Sequence, residues 1–226
     1  MSFKIVYRLS GGALLAGGLL MAIGVVGALF IIGSYQPGSP IQAGSLAFLL
    51  VFLAMMCGLV LIVAGLPGMY ARQARPTSWV GLLGFALTVF GALLDLGLAL
   101  IFVTVFPWLA TAAPQLLNFA NGGPLALLVL LYGAFLLLGV GSLVLGSATT
   151  QAGVLPRVAG VLLIASGIAN LLAIPSWPLG VLGFIGQFLF AGGLAWIGYD
   201  LASKRGEEEV QPSLPSADVP SSEVSS

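Results

Sequence analysis

The sequence contains no histidine and a single cysteine, Cys57. Without imidazole, histidine-ligated haem sites and zinc-protease sites are excluded. A lone cysteine forms neither an intramolecular disulfide nor a paired-cysteine metal site. The glycines form no P-loop or dinucleotide-binding pattern, and no basic patch is interleaved with aromatic residues. The sequence therefore predicts no cofactor, no metal site and no nucleic-acid partner.

Charge is also scarce, since only 6% of the residues are Asp, Glu, Lys or Arg. A soluble domain carries about 25%. Residues 9–71, 96–156 and 158–199 contain no charge at all, and only a lipid bilayer solvates stretches of that length. Backbone amides in hydrocarbon must bond within their own segment, so the stretches are expected to be helical. The predicted class is an all-α integral membrane protein.

Breaks rich in glycine, proline, serine or asparagine divide the apolar stretches into spans of about 20 residues or more, the length that crosses ~30 Å of hydrocarbon. Residues 1–205 are predicted to form one domain, a bundle of six transmembrane helices. The tail, 206–226, is acidic, rich in serine and proline and poor in large apolar residues, so it is predicted to be disordered. The predicted helices are 9–32, 42–70, 79–106, 125–147, 157–174 and 179–202.

The basic residues predict the orientation, because Lys and Arg mark cytoplasmic loops. With six spans and the N-terminus inside, every basic residue falls on the cytoplasmic side, and the uncharged loops 33–41, 107–124 and 174–178 fall outside. We expect a multi-pass protein of the plasma membrane, such as a bacterial inner membrane, with both termini cytoplasmic. The basic residues are Lys4, Arg8, Arg72, Arg75, Arg157, Lys204 and Arg205.

The first, third and fifth helices begin alike, with a glycine three residues after Arg8, Ser78 and Arg157. This similarity predicts three helical hairpins in parallel orientation, an arrangement of the kind found in transporters. Small residues are common in every membrane helix, however, and they explain the same pattern without a repeat. Both interpretations stay open at this point.

Asp95 is the only charged residue between Arg75 and Arg157. At helical spacing it shares one face of the third helix with small or weakly polar residues. Small faces pack against other helices, so Asp95 is expected to point into the bundle. Burying the acid in hydrocarbon costs ~2.5–3.5 kcal/mol, which makes it a candidate functional residue. The other residues of this face are Gly84, Thr88, Gly91 and Ala99.

Three further polar residues are predicted to lie near Asp95. Asn170 is on the fifth helix, Gln187 on the sixth and Tyr132 on the fourth. A rise of ~1.5 Å per residue places Asp95, Asn170 and Gln187 in the outer half of the bilayer. Together the four residues form a candidate intramembrane polar cluster.

The function that follows most directly is that of a non-enzymatic structural protein or complex subunit. General acid–base and nucleophilic catalysis need two or three cooperating groups, and the apolar region holds one carboxylate. The alternative is a small secondary transporter or channel subunit with Asp95 as its proton or cation site. Lipid is the expected partner, and a second membrane protein or a second copy of the chain is compatible with either function.

Overall fold

The computed structural model describes residues 3–33, 43–73, 79–117, 125–174 and 181–203. These ranges are almost entirely helical and contain no strand. A short 3-10 turn, Pro114–Leu117, follows the third helix. The helices are α1 (Phe3–Gly33), α2 (Leu46–Gln73), α3 (Trp79–Ala112), α4 (Leu125–Ala152), α5 (Arg157–Ala173) and α6 (Val181–Ala202).

The predicted all-helical class is confirmed for the described ranges, but several helices are longer than the sequence suggested. α1 begins at Phe3 rather than at residue 9, and α4 ends at Ala152 rather than at residue 147. α3 continues through Pro107 to Ala112. A proline removes only one intrahelical hydrogen bond, and in an apolar environment ending the helix would expose several unpaired backbone groups. The predicted tail, 206–226, lies outside the described residues.

Five of the six helices are long and apolar enough to cross a membrane. Large apolar side chains, such as Ile23, Phe30 and Leu125, are exposed on the outside of the bundle. A surface of this kind is stable in lipid, so the chain is a multi-pass membrane protein. α5 has 17 residues, which at ~1.5 Å each is slightly shorter than ~30 Å of hydrocarbon. The sixth span therefore stays a prediction.

The six helices form a closed ring, in which each helix packs against the next one in sequence and α6 packs against α1. Glycines bring several neighbours into backbone contact. A Cβ atom on Gly17 would lie 2.7 Å from the carbonyl oxygen of Gly58, and one on Gly146 would lie 2.7 Å from that of Gly160. Such close approach is the usual way in which membrane helices gain packing energy.

The contact between α2 and α3 is built differently, from aromatic rings. The rings of Phe52 and Phe102 stack with centroids 4.6 Å apart. Phe106 of α3 also stacks on Phe48 of α2, with centroids 6.3 Å apart. Towards the other end of the pair, Tyr70 stacks on Phe85, also at 4.6 Å. Aromatic rings therefore pack α2 against α3, whereas glycines bring α1 against α2 and α4 against α5.

Polar contacts cross the ring at the end where α1 begins and α6 ends, which we call the terminal end. Arg72 of α2 donates to Asp200 of α6, with Nη1 3.4 Å from Oδ2. Gln73, also on α2, reaches Thr149 of α4, whose hydroxyl proton is shared between Oε1 of Gln73 at 3.2 Å and the backbone oxygen of Leu145 at 2.8 Å. The terminal end of the bundle is therefore closed by side chains from three helices.

Candidate intramembrane polar site

Asp95 and Gln187 are hydrogen bonded across the ring. The Nε2 of Gln187 donates to Oδ2 of Asp95 at 2.9 Å. Their helices, α3 and α6, are not neighbours in the ring, so the bond crosses the interior of the bundle. The two residues are only 8% and 4% exposed. A buried acid thus has a buried partner that comes from the opposite side of the protein.

Small residues on α3 point Asp95 inward. Cβ atoms on Gly84 and Gly91 would lie 2.7 and 2.5 Å from the backbone nitrogens of Leu145 and Leu138 on α4. Asp95 follows Gly91 by one turn on the same face, and Thr88 and Ala99 on that face are buried as well. Every residue of the predicted small face is therefore buried in the bundle.

Asp95 lies near the middle of α3. At ~1.5 Å per residue it is ~24 Å along the helix from Trp79 and ~20 Å from Trp108. Both tryptophans are more than half exposed. Because α3 continues past Pro107, Asp95 lies closer to the middle of its helix than a count from Trp79 across ~30 Å of hydrocarbon predicts.

Asn170 of α5 lies beside Gln187 without bonding to it. Its Nδ2 donates to Ser166 Oγ, one turn earlier, at 3.3 Å. Its carboxamide rests on the backbone of Gly186, the residue before Gln187, where a Cβ would lie 2.8 Å from both Cγ and Oδ1. Asn170 is fully buried, and its Oδ1 receives no hydrogen bond from the described part of the chain.

Ser142 of α4 also faces the interior, and the sequence did not single it out. The preceding residue, Gly141, contacts Thr88 of α3, and Gly139 contacts Gly167 of α5. Ser142 lies between these two contact faces and so points inward. It is fully buried. Its Oγ has no hydrogen-bond partner among the described residues, although serine in a helix often donates to the carbonyl four residues earlier.

The inward face of α4 repeats every seven residues, although the sequence alone does not mark this face as inward. Phe135, Ser142 and Thr149 share one face of α4. Phe135 reaches Gly183 of α6, where a Cβ would lie 2.8 Å from its Cζ. Thr149 reaches Gln73 of α2. All three side chains are directed across the ring rather than towards a neighbouring helix.

The polar groups are arranged as a short column along the bundle. Gly139 faces the stretch from Gly167 to Leu171, which puts Ser142 ~6 Å closer to the terminal end than Asn170. Thr88 is level with Gly141, and Asp95 lies ~10 Å farther from the terminal end. The side chain of Gln187 bridges from the level of Asn170 to Asp95.

Tyr132 is not part of this arrangement. It is half-buried on α4, and none of the hydrogen bonds among the described residues joins it to Asp95, Asn170 or Gln187. Of the four residues predicted to cluster, the structure joins Asp95 to Gln187, sets Asn170 beside them and leaves Tyr132 apart.

Among the described residues, three buried oxygens accept no hydrogen bond or have no partner: Oγ of Ser142, Oδ1 of Asn170 and Oε1 of Gln187. No group of three His, Cys, Asp or Glu residues that would suit a transition metal occurs in the described ranges. A buried carboxyl group beside an amide with a free carbonyl oxygen, as in the Asp95–Gln187 pair, suits a proton or a hard cation.

No known family model, curated protein or solved structure matches this chain.

Proposed function

We propose that this chain is a small membrane transporter or channel subunit that carries a proton or a monovalent cation at Asp95. The observation that carries the proposal is the buried hydrogen bond from Gln187 to Asp95. An acid inside a membrane bundle destabilises the protein unless it is paired, and such residues mark ion pathways more often than structural sites.

A glutamine is a suitable partner for an acid that changes its protonation state. Its amide group donates to a charged carboxylate, and its carbonyl oxygen accepts from a protonated one. The same Gln187 side chain thus stabilises both forms of Asp95 after a rotation about its last bond. A fixed cation such as lysine would favour only the charged form.

The glycine contacts support a repeat of three helices. Gly17 meets Gly58 between α1 and α2, and Gly146 meets Gly160 in the same way between α4 and α5, three helices later. α6 packs on α1 through glycine, as α3 packs on α4. The aromatic contact of α2 with α3 fits neither this repeat nor the predicted repeat of three hairpins, because its counterparts, α5–α6 and α4–α5, are both built on glycines.

Two halves of three spans each would be inverted in the membrane, since an odd number of crossings reverses direction. In transporters built in this way the binding site lies near the bilayer midplane between the halves. Asp95 is in the last helix of the first half, and Gln187 is in the last helix of the second. This position supports transport rather than a purely structural role for the pair.

The orientation belongs to the same proposal. α5 crosses the bilayer as the sixth span, because it packs along α4 and along α6, both of which are long enough to cross. With six spans, the distribution of the basic residues favours a cytoplasmic position for both termini. The proposed location is the plasma membrane.

A static scaffold or complex subunit is the second candidate. It is favoured by the backbone contacts around the ring, such as Gly17 with Gly58, which leave little freedom for the helices to separate. In that case Asp95 is a neutral group that links α3 to α6, with lipid, another membrane protein or a second copy as partner. Neither candidate is an enzyme.

Reconstitution into liposomes that contain a pH-sensitive dye tests the proposal. We expect an applied ion gradient to change the internal pH with the wild-type protein and not with Asp95→Asn. Thr104→Val is the matched control, because Thr104 is exposed on the same helix and bonds only to its own backbone. Equal fluxes for wild type and Asp95→Asn would exclude transport through Asp95 and leave the scaffold.

A further inference from the structure

The amide group of Gln187 has one atom bonded to Asp95 and one atom left over. Its Nε2 donates to Oδ2 of Asp95 at 2.9 Å, whereas its Oε1 has no partner among the described residues. Both atoms are bonded to the same carbon, so the free oxygen lies beside the carboxyl group as well. Gln187 is only 4% exposed, so its free oxygen is also shielded from bulk water.

A proton on Asp95 supplies the donor that this oxygen lacks. An amide oxygen and an ionised carboxylate both only accept hydrogen bonds, whereas a protonated carboxyl group also donates one. A carboxyl group and an amide then pair through both edges, with Nε2–H donating to Oδ2 and the new Oδ1–H donating to Oε1 after a small rotation of the amide. A buried acceptor without a donor destabilises a protein, so the bound proton stabilises the contact of Asp95 with Gln187.

The other titratable groups near α3 do not take the place of the proton. Cys57 is exposed on the outside of the bundle, and Tyr132 has no hydrogen bond to Asp95 in the described structure. The rest lie towards the terminal end, where Arg72 pairs with Asp200. The titratable side chains of the helices that pack against α3 or cross to it are Cys57, Tyr70 and Arg72 on α2, Tyr132 on α4, and Tyr199 and Asp200 on α6.

A metal cation would need a larger set of ligands than Asp95 has. Metal ions in proteins exchange their hydration shell for several oxygens, about six or more for calcium. In the described part of the chain, Gln187 is the one side chain bonded to Asp95. The unpaired hydroxyl of Ser142 lies ~12 Å from Asp95 in depth, and the amide of Asn170 donates to Ser166 instead. A proton needs only one oxygen to bond and one to accept.

We propose that the ion carried by this protein is a proton, held as a carboxyl hydrogen of Asp95 that donates to Oε1 of Gln187. The O–H bond forms at Oδ1 with a proton given up by hydronium, and it breaks when the proton returns to water. The site is therefore neutral when loaded and singly negative when empty. This inference rests on the proposed function, since it selects one of the two ions which that function allows.

Infrared spectroscopy of the protein in lipid tests the loaded state without a transport assay. A protonated carboxyl group has a carbonyl stretching band that a carboxylate lacks. We expect such a band to grow as the pH is lowered in the wild type and to be missing from Asp95→Asn. Asp200→Asn is the matched control, because Asp200 is the other acid in the described ranges and is paired with Arg72. This variant should keep the Asp95 band.

The acceptor role of Gln187 has its own spectroscopic signature. Gln187→Met keeps a long side chain and removes the carbonyl oxygen. The Asp95 band should move to higher frequency in this variant, because the carboxyl hydrogen has lost its acceptor. A role of Gln187 in packing alone would change the stability of the protein and leave the band where it is.

The wild-type protein gives two further readouts, which need no variant to fold. Replacing NaCl by KCl or choline chloride at constant ionic strength should leave the pH dependence of the band unchanged, since no metal ion competes for Asp95. Transfer to D₂O should shift the band to lower frequency on the time scale of the liposome assay, because a carried proton exchanges with bulk water.

Three outcomes overturn the proton: no Asp95-dependent band at any pH at which the protein is folded, a pH dependence that shifts with Na⁺, or a band that D₂O does not move. The liposome assay separates these results from the proposed function. An Asp95-dependent flux that requires Na⁺ would leave a transporter and remove the proton as its ion. A normal band with equal fluxes in wild type and Asp95→Asn would remove the proposed function and leave the proton as a static part of the pair.

Discussion

Asn170 lies directly against Gly186, so closely that a methyl group on residue 186 would sit 2.8 Å from both Cγ and Oδ1 of the asparagine. Because Gly186 has no side chain, the carboxamide of Asn170 can lie directly against its backbone. Since Gln187 follows Gly186, the same contact sets the distance between the two carboxamides in the interior.

Gly186→Ala should destabilise the protein by about 1–3 kcal/mol, the usual effect of inserting a methyl group into a packed core. Gly192→Ala is the matched control on the same helix, because a Cβ there meets nothing within 4 Å. Alanine is the better helix former by ~1 kcal/mol, so this control should be neutral or slightly stabilising. Thermal unfolding in detergent measures both variants, and equal effects would contradict the close contact.

Asp95→Asn should cost less than about 1 kcal/mol, because the new amide still hydrogen bonds to Gln187. Asp95→Leu should cost more, since it leaves the amide of Gln187 buried and unpaired. Unfolding by a denaturing detergent gives both free energies. A leucine variant as stable as the asparagine variant would show that the hydrogen bond contributes nothing to the stability of the fold.

The contact of Arg72 with Asp200 should be measurable by a double-mutant cycle with Arg72→Gln and Asp200→Asn. The side chains are 12% and 25% exposed, so we expect a coupling energy of about 0.5–1 kcal/mol. High salt should reduce the coupling, because the pair lies near the end of the bundle where water is present. Additive effects of the two substitutions would mean that the pair does not link α2 to α6.

Cysteine labelling tests the proposed orientation in a Cys57→Ser background. Ala112→Cys, at the end of α3, should react in intact cells with a maleimide that does not cross membranes. Gln151→Cys, near the end of α4, should react only after the cells are opened. Both positions are exposed in the structure. The reverse pattern would place the termini outside, and labelling of both from outside would reduce the number of spans between them.

The helices were predictable from the sequence because lipid imposes a simple rule: an apolar run must be helical for its whole length. The same rule explains the errors at Pro107 and Ala152. In water a proline or a group of polar residues ends a helix, but near a membrane an unpaired backbone costs more than either. The ends of α3 and α4, which are read from turn-forming residues, are therefore predicted too early.

The candidate site was only partly predictable. Asp95 stands out because it is the one acid inside an apolar run, and Gln187 because a long amide is rare there. Ser142 does not stand out, since serine commonly satisfies itself on its own helix. Its importance depends on the rotation of α4 between α3 and α5, which is set by Gly139 and Gly141 and by what lies opposite them. The rotation of α4 also explains why Tyr132 does not join the polar residues in the interior.

Because α6 packs on α1, the ring of helices is continuous at the point where the first and last helices meet. Gly11 lies beside the last turn of α6, where a Cβ would be 2.8 Å from the backbone nitrogen of Ala202. A peptide that joins α6 to α1 would have only a short gap to cross. A circularly permuted protein that begins with α3 and ends with α2 keeps every neighbour in the ring and, in the proposed orientation, keeps both new ends in the cytoplasm. The order in which the helices are synthesised is then separable from the structure they form.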